Sequence, residues 1–231
     1  MKPDWRTEWP MWLVLAGTIA YSLASWNAVP DRFAVHWNLA GEPDGFAGRA
    51  QGLLALPLTA LALYAVMLVL PRVDPGRANY ESFAGAYRTI RLLVLLVVAV
   101  AQVCLVIGAR GTLVALPTVT LLAVGALCVV IGNLLGKLRP NWFAGIRTPW
   151  TLSSKESWLR THRVGGWAFV ADGLLIMAMA AARIESAKAA AIAVMAATAL
   201  GLAIYSYVVW RGDPAKVPPA GTLPAPDPDT R

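Results

Sequence analysis

Long uncharged runs separated by short polar connections dominate the pattern of this chain. A helix needs about 20 residues to cross the hydrocarbon core of a bilayer, and six runs approach that length. One of them, residues 164–182, holds a single charged residue, Asp172. The other five hold none and cover residues 9–30, 50–71, 92–109, 111–136 and 189–210. The pattern therefore predicts six transmembrane helices.

A soluble helical bundle is the alternative interpretation of these runs. Its helices would carry a polar position every three or four residues, and stretches such as LLALPLTALALYAVMLVL carry none. The composition agrees, because 58% of the residues are hydrophobic and only 14% are charged, which is too apolar for an ordinary soluble domain. We therefore expect an all-α, polytopic integral membrane protein.

The basic residues are unevenly divided between the two sides of the predicted bundle. Fifteen of the 20 Lys and Arg fall in the N-terminus, the second and fourth loops and the tail, and five fall on the other side. Cytoplasmic loops retain positive charge, so both termini are predicted to be cytoplasmic. The net charge of +7 is then explained by topology and by contact with the lipid bilayer, and direct nucleic-acid binding is not expected.

The sequence does not favour an enzyme. No nucleophile, base and orienting group fall together, and the two histidines are predicted on opposite sides of the membrane. Cys104 and Cys128 lie inside predicted spans without neighbouring ligands, so they are expected to be small core residues. No cofactor and no metal ion are expected.

The fourth loop, rich in Trp, Arg and Gly, departs from the surrounding composition. Thr148 precedes a proline and is expected to be extended. Ser153 and Glu156 have capping-box spacing, which predicts a short helix on which Trp158 and His162 share a face. Gly165 and Gly166 are expected to end that helix before the fifth span. Composition alone favours a lipid-surface anchor here.

The run GNLLGKLRPNWFAGIRTPWTLSSKESWLRTHRVGG (residues 132–166) changes that interpretation. It resembles the signature of the SdpI family, the membrane immunity proteins of the sporulation-delay toxin system. The resemblance implies a bacterial plasma-membrane protein that protects against a membrane-active peptide toxin and holds a cytoplasmic winged-helix repressor at the membrane. The partner-binding residues it implies are Asn133, Lys137, Asn141, Gly145, Arg147, Thr148, Pro149, Trp150, Thr151, Trp158, Thr161, His162 and Arg163. With the role that the resemblance implies, the basic loop with Arg147, Arg160 and Arg163 is expected to be the docking surface, because arginine makes bidentate contacts and tryptophan anchors interfaces.

The first loop, SWNAVPDRFAVHWNLAGEPDGFAG, resembles a small domain of unknown function often placed ahead of the SdpI region. Ala34 departs from its pattern, where a proline is expected. The candidate residues of this external loop are Pro30, His36, Asn38, Gly41 and Asp44. His36 with Asp31, Glu42 and Asp44 suits a metal or proton site, although a hydrogen-bonded structural histidine is the commoner arrangement.

Two polar side chains fall inside predicted spans. Asp172 is either a functional group or a carboxylate that pairs with Arg163 or another basic residue of the loop. Gln102 is expected to join helices by hydrogen bonding. The competing function is a transporter or lipid-handling protein in which these two residues and Asn133 line a polar path.

Three regions follow from these patterns. Residues 1–75 are predicted to form an N-terminal transmembrane pair with the external loop. Residues 76–210 are predicted to form an SdpI-like region of four helices with a cytoplasmic signature loop at 133–166. Residues 211–231 hold six prolines and are predicted to form a disordered tail.

Overall fold

The computed structural model describes residues 4–38, 41–112 and 116–217, and it is mainly helical. In chain order its elements are α1 (Trp5–Ala24), β1 (Arg32–Trp37), β2 (Pro43–Gly48), α2 (Arg49–Val73), α3 (Ala84–Ala109), α4 (Leu116–Leu135), α5 (Pro149–Leu152), α6 (Lys155–Ala181) and α7 (Ala187–Gly212). Short 3₁₀ turns cover Trp26–Ala28 and Arg77–Phe83. Residues 218–231 of the predicted tail lie outside the described ranges.

Five of the helices in these ranges are long and apolar enough to cross a membrane. They are α2, α3 together with its preceding 3₁₀ turn, α4 from Thr118, α6 and α7. Their outer faces expose large apolar side chains such as Leu58, Leu174 and Leu200, which is costly in water and favourable in lipid. The chain therefore has the architecture of a multi-helix membrane protein. α1 is not among the five, because its first turns hold Arg6, Glu8 and Pro10, and its crossing stays a prediction.

The all-α prediction is wrong for the first loop. β1 and β2 pair antiparallel, with Arg32 opposite Gly48. Phe33 anchors this hairpin because its side chain is buried and its ring packs directly over Gly52 of α2, where a Cβ would clash. The alternation of RFAVHW is a period-two pattern of the kind that predicts a strand, so the signal was present in the sequence.

Two groups of three helices pack side by side. In the first group, α1, α2 and α3 meet around Met11, Leu15, Tyr64 and Leu95. In the second, α6 lies between α4 and α7. The groups meet at one end through an aromatic and aliphatic core that includes Tyr80, Tyr87, Leu138 and Trp158. That end also carries the fourth loop.

Four glycines allow α4 and α6 to approach with their backbones almost touching. A Cβ at Gly132 would lie 2.7 Å from the carbonyl oxygen of Gly166, and a Cβ at Gly166 would lie 2.8 Å from that of Gly132. Gly125 and Gly173 face each other in the same way, one heptad away on each helix. Close approach through small residues is a common way to pack helices in membranes, and here it makes α4 and α6 the tightest pair.

The N-terminal end of α6 differs from the prediction. Its N-cap is Ser154, whose hydroxyl accepts the N–H of Ser157, whereas Ser153 is the C-cap of α5. The helix then continues without a break to Ala181. The predicted end at Gly165 and Gly166 is wrong, because these glycines serve helix packing and not chain reversal.

Candidate functional site

We call residues 133–166 the signature segment. Asn141 organises its first turn from a buried position. Its Nδ2 donates to the carbonyls of Arg139 (2.8 Å) and Ala144 (2.9 Å), and its Oδ1 accepts the N–H groups of Phe143 (3.0 Å) and Ala144 (2.6 Å). The amide is fully used in shaping the turn. An aspartate would lose both donated hydrogen bonds.

The rings of His162 and Trp158, near the end of the signature segment, contact the backbone of its earlier residues. The two rings stack with centroids 4.0 Å apart, which confirms that they share a face of α6. His162 Nε2 accepts the N–H of Ile146 at 3.0 Å, and Nδ1 donates to the carbonyl of Trp158 at 2.8 Å. Gly145 has φ +112°, and a Cβ there would clash with His162. Both rings are almost fully buried, so they hold the segment's backbone in place.

The turn before α5 is capped on both sides. Thr148 is extended, as predicted, with φ −108° and ψ 161°. Its Oγ1 accepts the N–H of Thr151 at 3.1 Å, and its own N–H donates to Thr151 Oγ1 at 2.9 Å. Thr148 Oγ1 also lies 2.9 Å from the hydroxyl of Ser206 in α7. The reciprocal caps fix α5 against the second helix group.

Asp74, at the end of α2, ties the first helix group to the signature segment. Its buried carboxylate accepts the hydroxyl of Tyr80 (2.8 Å) and the N–H groups of Trp142 (3.0 Å) and Gly76 (2.6 Å). Asn79 Nδ2 also donates to the carbonyl of Pro140 at 2.7 Å. The segment is therefore held by helices from both groups.

The chain after α7 returns to the start of α6. Ser154 donates its hydroxyl to Asp213 Oδ2 at 2.6 Å, and this hydrogen bond lowers the pKa of Asp213, so the carboxylate stays charged. The N–H of Val217 donates to the carbonyl of Ser153 at 2.9 Å. Residues 213–217 are thus ordered against the signature segment, whereas disorder was predicted from residue 211.

A cleft of about 1230 Å³ opens between the signature segment, the turn before α3 and the residues after α7. We call it the basic cleft. Its described lining holds the three cationic side chains Arg139, Arg147 and Lys155 and no carboxylate. All three cations are exposed. Arg147 Nη1 donates to the carbonyl of Trp142 at 2.8 Å, which fixes the side chain at the rim.

The predicted partner-binding residues divide into three sets by exposure. Five of them are at most 1% exposed, so their side chains are not accessible to a partner: Asn141, Thr151, Trp158, Thr161 and His162. Thr148 and Trp150 are half-buried. The exposed members are Asn133, Lys137, Gly145, Arg147, Pro149 and Arg163.

The predicted arginine surface is not continuous. Arg147 lines the basic cleft. Arg160 forms an ion pair with Glu156 at 2.5 Å on the neighbouring face of α6, and Arg163 is exposed further along that helix and outside the cleft lining. Arg139 and Lys155 line the cleft together with Arg147, whereas the sequence analysis had predicted Arg160 and Arg163 beside Arg147.

Most candidate residues of the first loop lie in the hairpin. His36 Nδ1 and Asp44 Oδ1 lie 2.5 Å apart, and both side chains are well exposed. Asn38 accepts the N–H of Glu42 and donates to its carboxylate. Asp31 pairs instead with Arg49 at 2.8 Å. The carboxylates near His36 thus have separate partners, and within the described residues no group of three ligands is arranged for a metal ion. Gly41 adopts φ +87° at the turn, while Pro30 is exposed ahead of β1.

Comparison with known proteins gives these two sites a family context. Residues 137–209 match the SdpI/YfhL protein family, and residues 13–61 match DUF1648, a domain of unknown function. The chain carries an SdpI/YfhL region behind a DUF1648 region. The immunity protein SdpI of Bacillus subtilis (strain 168) is 21% identical over 155 residues, which are 67% of this chain and 72% of the relative. No solved structure matches the chain. Both resemblances drawn from the sequence are confirmed.

The SdpI/YfhL region includes the basic cleft's loop wall, α5, α6 and most of α7, and the DUF1648 region includes the hairpin. Between them, α3 contributes Gln102, which is fully buried. Its Nε2 donates to Ser22 Oγ (3.0 Å) and to the carbonyl of Leu53 (3.1 Å), so the prediction that it joins helices is confirmed.

Two contacts weigh against the polar path of the transporter alternative. Asn133 Nδ2 donates to the carbonyl of Val129 in its own helix at 2.8 Å, and Gln102 is used between the helices of the other group.

Asp172 is half-buried in α6, and among the ion pairs of the described residues none includes it. Of the two alternatives for Asp172, the one in which it pairs with Arg163 or another basic residue of the loop is therefore not present among the described residues.

The charge count missed one polar cluster, which lies outside both matched regions. Arg91 and Glu8 form an ion pair at 2.5 Å, with side chains 0% and 2% exposed. Tyr64 donates its hydroxyl to Glu8 at 2.9 Å, and Trp12 Nε1 donates to the oxygen of Tyr64 at 2.9 Å. Arg91 was assigned to the second loop, but α3 begins at Ala84 and places it inside the bundle. No local sequence signal reveals this pairing.

Proposed function

We propose that this chain is a membrane immunity protein that protects a bacterial cell against a membrane-active peptide toxin. The observation that carries the proposal is the SdpI/YfhL match over residues 137–209 together with the relative's name, immunity protein SdpI. Five apolar helices of membrane-crossing length support it. The proposed location is the plasma membrane, where such a toxin acts.

We further propose that α1 is a sixth span and that both termini are cytoplasmic. The carboxylate of Glu8 is the main obstacle to placing α1 in lipid, and its ion pair with buried Arg91 removes much of that cost. With Arg91 inside the bundle, fourteen Lys and Arg still lie on the predicted cytoplasmic side against five on the other. The hairpin is then external, and the basic cleft is cytoplasmic.

The two faces support two roles. An external toxin first meets the hairpin, which exposes His36 and Asp44. A soluble repressor of the winged-helix type meets the cytoplasmic face, where Lys137, Arg147 and Arg163 are exposed. The buried residues of the signature segment then shape this surface without touching the partner.

Survival and repressor position, measured in the same cells, test this division. We expect His36→Ala combined with Asn38→Ala to lower survival of a toxin-challenged bacterium, because the pair shapes the exposed hairpin. Arg147→Lys is expected to lower the membrane-bound fraction of the repressor while survival stays near that of the unmodified chain, because Lys keeps the charge and loses the planar guanidinium.

Gly201→Ala is the matched control, since nothing lies within 4 Å of a Cβ at that position, and it is expected to change neither readout. Immunoblots confirm equal abundance in the membrane. If every variant lost survival and recruitment together, the two faces would act as one conformational unit and the division would be wrong. If the unmodified chain gave no protection, the immunity proposal itself would fail.

A further inference from the structure

We infer that the basic cleft binds an extended acidic segment of a soluble cytoplasmic protein. The inference rests on the proposed docking role of the cytoplasmic face, and it adds the position of the site and the chemistry of the partner. Four arguments support it: the charge of the cleft, its position relative to the helices, the shape of its walls, and the hydrogen bonds that hold those walls in place.

The cleft is positively charged and is not neutralised by its own described lining. Arg139, Arg147 and Lys155 face it, and no lining residue in the described ranges is acidic. Two carboxylates that contact lining residues are already engaged, since Asp74 accepts the N–H of Trp142 and Asp213 accepts the Ser154 hydroxyl. Unneutralised cations on converging walls favour an anionic occupant.

The position of the cleft favours an occupant from the aqueous side. Its walls come from the turn before α3 (Asn79, Ser82), from the chain between α4 and α6, and from residues 215–217. Among the described residues, α6 is the only long helix that contributes, through Lys155 and Leu159 in its first two turns. A phospholipid bound by its acyl chains would contact the apolar helix bodies, and these do not line the cleft.

The walls suit a peptide better than a small ion. A volume of about 1230 Å³ exceeds the roughly 300–1,000 Å³ of small-molecule pockets. The lining also includes the apolar side chains of Trp142, Leu152 and Leu159, so a segment that combines acidic and apolar residues matches its chemistry. The exposed forks of Arg139 and Arg147 allow bidentate contacts with carboxylates.

The cleft is also preorganised, because its walls are held by hydrogen bonds that need no ligand. Asn141 fixes the turn between Arg139 and Ala144, and the Thr148–Thr151 caps fix the chain after Arg147. Val217 is bound to the carbonyl of Ser153. Binding of a segment therefore requires little further ordering of the protein, which keeps the entropic cost of association low.

Peptide binding to the full chain in nanodiscs of neutral phosphatidylcholine tests the inference. The probe is a fluorescent peptide of about ten residues in which glutamates alternate with leucine and serine, and the comparison peptide has glutamine at every glutamate. By fluorescence anisotropy, we expect the acidic peptide to bind at least about tenfold more tightly and to weaken as salt rises. Arg139→Ala combined with Arg147→Ala is expected to lower its affinity about tenfold or more.

Arg72→Ala is the matched control, because it removes an exposed arginine at the end of α2 that does not line the cleft, and it is expected to leave the affinity within about twofold. Equal loss in Arg72→Ala, or equal binding of the glutamine peptide, would overturn the inference. The same holds if nanodiscs with anionic phosphatidylglycerol abolish binding, because a lipid headgroup would then be the occupant. Intact survival with no peptide binding would remove only this inference, whereas peptide binding without protection would remove only the immunity proposal.

Discussion

Replacing Arg91 by methionine is expected to lower the free energy of unfolding by about 3–5 kcal/mol, because it leaves the Glu8 carboxylate buried without its partner. Both side chains are almost fully buried, and the pair joins α1 to α3. Tyr64 of α2 donates to the same carboxylate, so all three helices of the first group lose a shared contact. Unfolding of the purified protein in mixed micelles, followed by tryptophan fluorescence, measures the change.

The double variant Glu8→Leu with Arg91→Met is the informative control. It removes both charges at once, and apolar residues often replace a buried ion pair with little loss. We therefore expect its stability to lie closer to that of the unmodified chain than to Arg91→Met alone. If Arg91→Met unfolded at the same denaturant fraction as the unmodified chain, the pair would have no structural role.

Gly166→Leu is the second change with a large expected effect, and it should separate α4 from α6. A Cβ at this position lies 2.8 Å from the carbonyl oxygen of Gly132, which belongs to the backbone and cannot move aside without shifting the helix. Overpacking of this kind costs about 1–3 kcal/mol and sometimes more. A lower midpoint of thermal unfolding is the expected result, with a smaller drop for Gly166→Ala.

Gly201→Ala controls for the helix propensity of glycine. Nothing lies within 4 Å of a Cβ there, and alanine is the better helix former by about 1 kcal/mol. Its midpoint should equal or exceed that of the unmodified chain. If Gly166→Leu had the same midpoint of thermal unfolding as the Gly201→Ala control, α4 and α6 would not meet through these glycines.

The length of the apolar runs made the helical architecture predictable, because the bilayer sets a minimum length for a spanning helix. Charges were less informative as helix boundaries. Arg91 was taken as the edge of the third span, yet it lies within α3 and pairs with Glu8, 83 positions earlier in the chain. A partner so distant in sequence leaves no local pattern.

The signature segment shows a similar limit. The one-turn spacing of Trp158 and His162 predicted a shared face, and the rings do stack. Spacing does not say what that face packs against. Here both rings form hydrogen bonds with the segment's own backbone, at Ile146 and Leu138. The cations of the basic cleft were also only partly predictable, because Arg139 and Lys155 meet Arg147 through loop folding and not through sequence proximity.

Single cysteines at Trp5, Phe46 and Lys137 test most directly whether the hairpin and the basic cleft lie on opposite sides of the membrane. All three positions are exposed, and the background replaces Cys104 and Cys128, the two native cysteines, by alanine. They lie at the first residue of α1, in the hairpin and after α4. Permeabilised cells provide the control in which each site must react with the thiol reagent.

In intact cells, an impermeant thiol reagent should label position 46 alone. That result requires α1 to cross and an odd number of crossings between positions 46 and 137, as α2, α3 and α4 provide. Labelling at positions 5 and 46 together would leave α1 outside the membrane and reduce the spans to five. Labelling at position 137 with position 46 protected would invert the protein, placing the basic cleft outside the cell and contradicting the proposed roles of both faces.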